Sequence, residues 1–148
     1  FSLLEKYNYK IILSLEDKSQ KKIFKDKCLI LEEPVNDIHS LMHFAAITIS
    51  SGDSMARESC LVGTPSIYTG GRYMDVNEPL IRNGFMKSVA SKEELKTAIV
   101  DSLSGNFSEE VSLQIKKAIK SDWSDTTKIM EDCVTELIET AKSLEGNQ

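Results

Sequence analysis

The chain has 148 residues, 41% of them hydrophobic and 28% charged, and a formal net charge of −5. That length supports one domain with its own core, and the composition is globular rather than disordered. The acidic balance argues against a dedicated nucleic-acid binder. Strictly apolar runs reach only four residues, as at Phe44 to Ile47, so the sequence holds no transmembrane helix and no signal-peptide core. Cys28, Cys60 and Cys133 are scattered and odd in number, which suits reduced thiols in a cytoplasmic protein better than a disulfide frame or a zinc site. The chain opens on Phe1 rather than Met, which reads as a fragment.

The first 90 residues alternate short β-rich runs with helical stretches. Strand A is expected at Lys10–Leu15, B at Cys28–Leu31, C at Ile47–Ser50, D at Ser66–Thr69 and E at Met86–Val89. Helical spacing lies between them, at Lys18–Lys25, Asp37–Ala46, Ser54–Val62 and Asn77–Asn83. In Asp37–Ala46 the apolar residues Ile38, Leu41, Met42 and Ala45 share one helix face. Such alternation predicts βαβ units on a parallel sheet, a Rossmann-like α/β fold with helices on both faces.

From Ser91 onward there is no proline, and helix follows helix. Ser91-Lys-Glu-Glu94 is a capping box that opens a helix with the stripe Leu95, Ala98, Ile99 and Leu103. Ser108 is expected to cap the next helix, with Glu109 and Glu110 facing the positive end of its dipole. A last helix runs from about Asp125 to Leu144. The whole chain reads as a single domain, 1–148, with a helical extension over 108–148.

Charge is uneven. Residues 1–27 carry seven lysines against four acidic residues, and the remaining residues carry a net charge of −8. The Lys18–Lys27 cluster reads as a solvated helix face. His39 and His43 stand at i, i+4 but lack a third ligand, so no metal site is expected. Cys60 reads as a small core residue rather than a nucleophile. Trp123 reads as a packing anchor between helices.

The most informative stretch runs from Ile47 to Tyr68. Strand C ends at Ser50, the turn Ser51-Gly52-Asp53-Ser54 opens a helix, Gly63 closes it and Pro65 begins strand D. Free amides at that helix start, beside a glycine, suit an anion. The turn also stands at the carboxyl ends of the strands, where open parallel sheets bind ligands. Glu58, one turn further in, could accept hydrogen bonds from sugar hydroxyls. The blander reading is an ordinary βαβ turn, with Asp53 or Ser54 as cap and Glu58 solvated.

Ser51-Gly52-Asp53-Ser54, Glu58 and Gly63-Thr64-Pro65 together resemble the nucleotide-sugar motif of GT-B proteins. They are similar to the C-terminal half of UDP-N-acetylglucosamine 2-epimerase and of the lipid II N-acetylglucosaminyltransferase. Ser54 to Pro65 also resembles an uncharacterised family of GT-B-like proteins from archaea and bacteria. The likeness covers about residues 28–103.

The resemblance implies a nucleotide-diphosphate sugar as ligand. The amides of Asp53 and Ser54, after Gly52, would meet the diphosphate, and Glu58 the ribose. Pro34 and Val35 would approach the base through backbone groups. Gly70, Gly71 and Arg72 would border the sugar or phosphate. Asp53 departs from the glycine frequent at its position. The resemblance further implies a missing N-terminal domain, so no catalytic residue is assigned and no turnover is expected of this chain alone. Its strand pattern, with right-handed crossovers, implies the order B-A-C-D-E, all parallel, and a missing strand between A and C. No cofactor or metal is expected.

The final helix of GT-B proteins typically crosses back to that N-terminal domain, so the stripe Met130, Val134, Leu137, Ala141 and Leu144 is expected to be partly bare and to support a homodimer or a large lattice contact, through this helix or the open sheet gap between strands A and C; the alternative is that the helix folds flat onto its own domain beside Leu103 and Ile119. The alternative function is a non-catalytic interaction or regulatory module that keeps the fold and has lost the ligand.

Overall fold

The structure, a computed structural model, describes residues 1–32, 35–104 and 107–145. Five strands form inside the expected runs, trimmed to two or three residues each. They are β1 (Ile12–Leu13), β2 (Leu29–Ile30), β3 (Thr48–Ser50), β4 (Ser66–Tyr68) and β5 (Met86–Ser88). The helices are α1 (Ser2–Glu5), α2 (Lys21–Phe24), α3 (Ile38–His43), α4 (Asp53–Leu61), α5 (Glu78–Arg82), α6 (Lys92–Leu103), α7 (Phe107–Ser121) and α8 (Thr126–Glu145).

Every strand pairing is parallel. The pairs A–B, C–D and D–E form as the sequence implies, but the continuous order B-A-C-D-E does not. The strands make two sheets, β1-β2 and β3-β4-β5. β3 is therefore an edge strand, and no ladder joins it to β1 among the described residues. The break falls between A and C. Apolar residues stay exposed on both sides of it, at Ile12, Leu29 and Ile49.

β4 is buried along its whole length, because it lies between β3 and β5 and is covered on both faces. Alternation along the strand sends Ile67 and Tyr68 to opposite sides. Ile67 packs with Val89 and with Ala98 and Ile99 of α6, and Leu3 and Leu4 of α1 close that cluster. On the other side, Tyr68 and Met86 meet Ala56 and Cys60 of α4, Leu80 of α5, and Val111 and Ile115 of α7. Helices thus cover both faces of the three-stranded sheet.

Local chemistry explains most helix ends. Asp37 caps α3 by accepting from the Ser40 amide at 2.9 Å. Ser91 caps α6, accepting from the Glu94 amide at 3.1 Å, while Glu94 reaches back to the Ala90 amide at 2.8 Å. The Ala90 amide, helped by the Ser91 contacts, holds the Glu94 carboxyl below its ordinary value against the opposing effect of desolvation. α4 ends in a Schellman motif. The Thr64 amide donates to the Ser59 carbonyl at 3.0 Å and the Gly63 amide to the Cys60 carbonyl at 2.9 Å, with Gly63 left-handed at φ +88°. One end differs from expectation. α7 starts at Phe107, so Ser108 lies in its first turn rather than at the cap.

The two C-terminal helices have different surroundings. α7 drives Val111 and Ile115 into the core. In α8 every residue from Thr126 to Leu144 is exposed.

Candidate functional site

The β3–α4 turn is built by one serine. The Ser50 hydroxyl accepts from the Gly52 amide at 3.0 Å and donates to the Gly52 carbonyl at 2.9 Å. That same carbonyl accepts from the Ala56 amide at 3.2 Å, the first intrahelical bond of α4. The amides of Asp53, Ser54 and Met55 precede that bond and point out of the helix start. They stand at the carboxyl end of a parallel strand, where the helix dipole favours negative charge.

A second loop is pressed against this turn. The Thr69 amide donates to the Ser50 carbonyl at 2.9 Å, which carries the strand pairing past the end of β4. Gly70 then passes so close to the turn that a Cβ there would overlap the Ser51 carbonyl oxygen and the Tyr68 ring. Gly71 follows in the left-handed region, at φ +67°, with open space around it. Arg72 is exposed and forms no ion pair among the described residues.

Asp53 is not a free charge. Its carboxylate pairs one turn along α4 with Arg57 at 3.4 Å. Arg57 also donates to the Asn77 side-chain carbonyl at 3.0 Å and to the Ser54 hydroxyl at 3.3 Å. Partial burial, the largest single influence, pushes the Asp53 carboxyl up. The Arg57 hydrogen bond, the Ser54 and Asp53 amides and the Arg57 charge together outweigh it and hold the carboxyl below its ordinary value. The expected conflict between Asp53 and an anion is therefore softened by a neighbouring cation, though the carboxylate still stands at the helix start.

Glu58 lies on the α3 side of α4 with its side chain 41% exposed, and its partner is His39, with Nε2 to Oε2 at 3.1 Å. His43 turns elsewhere and donates through Nδ1 to the Val62 carbonyl at 2.8 Å. The two imidazoles thus hold different partners. No group of three or more metal-ligating side chains forms among the described residues. Val35 is half-buried on the loop before α3, and Pro34 lies outside the described residues. Cys60 is fully buried, and that burial pushes its thiol up to about 12, the behaviour of a core residue rather than a nucleophile.

The structure thus brings Gly52, Asp53, Ser54 and Gly70 together. Glu58 sits further along the same helix, and among the described residues nothing joins Val35 or Arg72 to the turn. Arg57, Asn77 and the pairing of His39 with Glu58 were missed in the sequence. For Arg57 a signal existed, since it stands four residues after Asp53 on one helix. For Asn77 and His39 there was none, because their contacts are made between elements.

Two concavities of about 360 Å³ each open at the amino ends of the strands. One is lined by His43, Thr64, Glu109 and Lys116, the other by Tyr9, Lys10, Cys28 and Leu29. They lie away from the β3–α4 turn. The turn remains the better candidate because a helix start and a close glycine suit a specific anion, whereas these openings are shallow and their charges sit on surface side chains.

These features define a class, a mixed α/β protein with parallel strands, helices on both faces and a polar turn at the carboxyl edge of its larger sheet. Among the described residues, no helix is long and apolar enough to cross a membrane. The family model described as "Protein of unknown function (DUF354)" matches residues 2–139, and the chain belongs to that family. No curated protein and no solved structure matches the chain.

Proposed function

We propose that this chain is the donor-binding half of a GT-B-like glycosyltransferase or epimerase relative, and that it holds a nucleotide-diphosphate sugar. The diphosphate meets the amides of Asp53 and Ser54, the ribose hydroxyls meet Glu58, and Gly70 to Arg72 border the sugar or phosphate. The observation that carries the reading is the close seating of Gly70 on Ser51. It welds two loops at the carboxyl edge of the sheet into one wall, with three outward amides beside it. In such a site the amides favour the charge that develops on the departing diphosphate, and they do so without a metal. The acceptor and the catalytic base come from elsewhere.

A second reading has its own observation. The Asp53 carboxylate stands at the helix start and is already paired, so the position can serve as a satisfied structural turn in a non-catalytic module that has lost its ligand.

Calorimetric titration with uridine diphosphate separates the two. Under the donor-binding reading the wild-type chain binds, and Glu58→Ala weakens binding by about 1–3 kcal/mol, the scale of losing a hydrogen-bond partner. Asp53→Asn tightens binding severalfold, because it removes a like charge beside the diphosphate. No heat of binding from the wild-type chain or from Asp53→Asn would leave the module reading standing.

A further inference from the structure

Asp53 is the first residue of α4, so its carboxylate is itself an anion at the positive end of the helix dipole. Acidic side chains so placed fold readily onto the amides of their own first turn. Partial burial raises the Asp53 carboxyl, and the Arg57 hydrogen bond, the Ser54 and Asp53 amides and the Arg57 charge together outweigh it and lower it. The carboxylate thus has two sets of partners, the amides at the helix start and the Arg57 guanidinium. A diphosphate at the same amides competes with it, and the outcome depends on where the carboxylate rests.

Arg57 is placed to take it. A helical side chain leans toward the amino end of its helix, so Arg57 reaches back over the first turn of α4. Its Nη1 stands 3.4 Å from Asp53 Oδ2, and its Nη2 donates to the Ser54 hydroxyl at 3.3 Å. Both contacts are long. The short one is to Asn77, whose Oδ1 accepts from Nη1 at 3.0 Å. Asn77 ends the short helical turn Asp75–Asn77 and is 2% exposed. Its backbone amide is fixed on the Met74 carbonyl at 2.9 Å. The guanidinium is therefore seated on a buried, fixed partner and grips two side chains at the surface.

Asn77 carries a cost. Its Nδ2 is buried and has no hydrogen-bond partner among the described residues. A buried donor left unpaired opposes folding, so packing alone does not account for a carboxamide here. What asparagine supplies, and an apolar residue of similar size would not, is the Oδ1 bond to Arg57. The two residues also come from different elements, α4 and the segment that follows Gly70 to Arg72, so their bond ties both sides of the candidate site together. On the diphosphate reading of the turn, on which this rests, we infer that Arg57, anchored by Asn77, is the positioning residue of the site: it draws the Asp53 carboxylate off the helix-start amides and leaves them to the diphosphate.

Calorimetric titration of the full chain with uridine diphosphate tests this on four proteins: wild type, Arg57→Gln, Asp53→Asn and the double variant. Arg57→Gln should weaken binding roughly 10- to 100-fold, because the released carboxylate then occupies the amides. In the Asp53→Asn background the same change should cost only severalfold, since no carboxylate remains to be held. Inorganic pyrophosphate, which lacks ribose and base, should show the same pattern. Arg57→Lys keeps the charge four residues from Asp53 but not the planar fork that spans Asn77 and Ser54, so its loss should be intermediate. If Arg57→Gln does not fold, Arg57→Lys replaces it in the comparison. Equal losses in the two backgrounds overturn the inference and reduce Arg57 to a structural residue, as does an Arg57→Gln variant that binds like wild type. Binding by neither wild type nor Asp53→Asn overturns the diphosphate reading and this inference with it, whereas binding without that coupling overturns the inference alone.

Discussion

Ile115→Ala is expected to lower the unfolding free energy by about 2–5 kcal/mol, the range for truncating a fully buried branched side chain. Ile115 is 0% exposed and lies in the cluster of Ala56 and Cys60 of α4 with Met86 of β5. Its neighbours belong to a helix whose other contacts fix the β3–α4 turn, and to a strand, so the cavity left by truncation has little freedom to collapse. Leu113, on the same helix but 61% exposed, is the control: Leu113→Ala should stay within about 0.5 kcal/mol. Urea denaturation of both variants, read at constant slope, measures the difference. If Ile115→Ala costs no more than Leu113→Ala, then α7 lies outside the cooperative unit and the domain ends at α6. The expected result instead makes α7 a part of the core, while α8 is exposed from Thr126 to Leu144.

How much of this was legible in the sequence depended on the range of each interaction. The strands were read from short β-branched runs, and all five formed within those runs. Their pairing was less legible. Periodicity says that Ile12, Leu29 and Ile49 require cover, but it does not say that β1 and β3 stay unpaired, because a ladder forms between segments that carry no local mark of each other. Caps were legible where serine or aspartate directly precedes the helix, as at Asp37 and Ser91. Ser108 misled because serine is also tolerated inside a first turn. At the site, the turn and Glu58 were visible as spacing on one element. The Asp53–Arg57–Asn77 chain and the His39–Glu58 pair arise from α4 packing against its neighbours, so only the helical half of each had a sequence signal. The stripe of α8 was legible as amphipathic spacing, and its complete exposure was not.

Gly70→Ala should be the most damaging single change at the candidate site. The backbone of Gly70 is not left-handed, so the cost is one of space rather than of conformation. A methyl there overlaps the Ser51 carbonyl oxygen, which is backbone, and the Tyr68 ring, which is 2% exposed and held within the α4–α7 cluster. Neither neighbour can yield cheaply. Moving Ser51 disturbs the turn that Ser50 and Gly52 close, and moving Tyr68 opens the core. Overpacking of this kind costs about 1–3 kcal/mol, and here the strain is delivered into the wall that carries the Asp53 and Ser54 amides. Gly71→Ala is the matched control. Its φ of +67° is awkward for alanine and costs about 1–2 kcal/mol, but the space around it is open, so nothing is pushed. Both variants lose stability in urea, but Gly70→Ala should weaken uridine-diphosphate binding the more, by more than about tenfold, since a misplacement of the amides by even part of an ångström lengthens every bond to the diphosphate. If Gly71→Ala weakens binding as much as Gly70→Ala, the two loops do not act as one wall, and the diphosphate sits further out, toward Arg72.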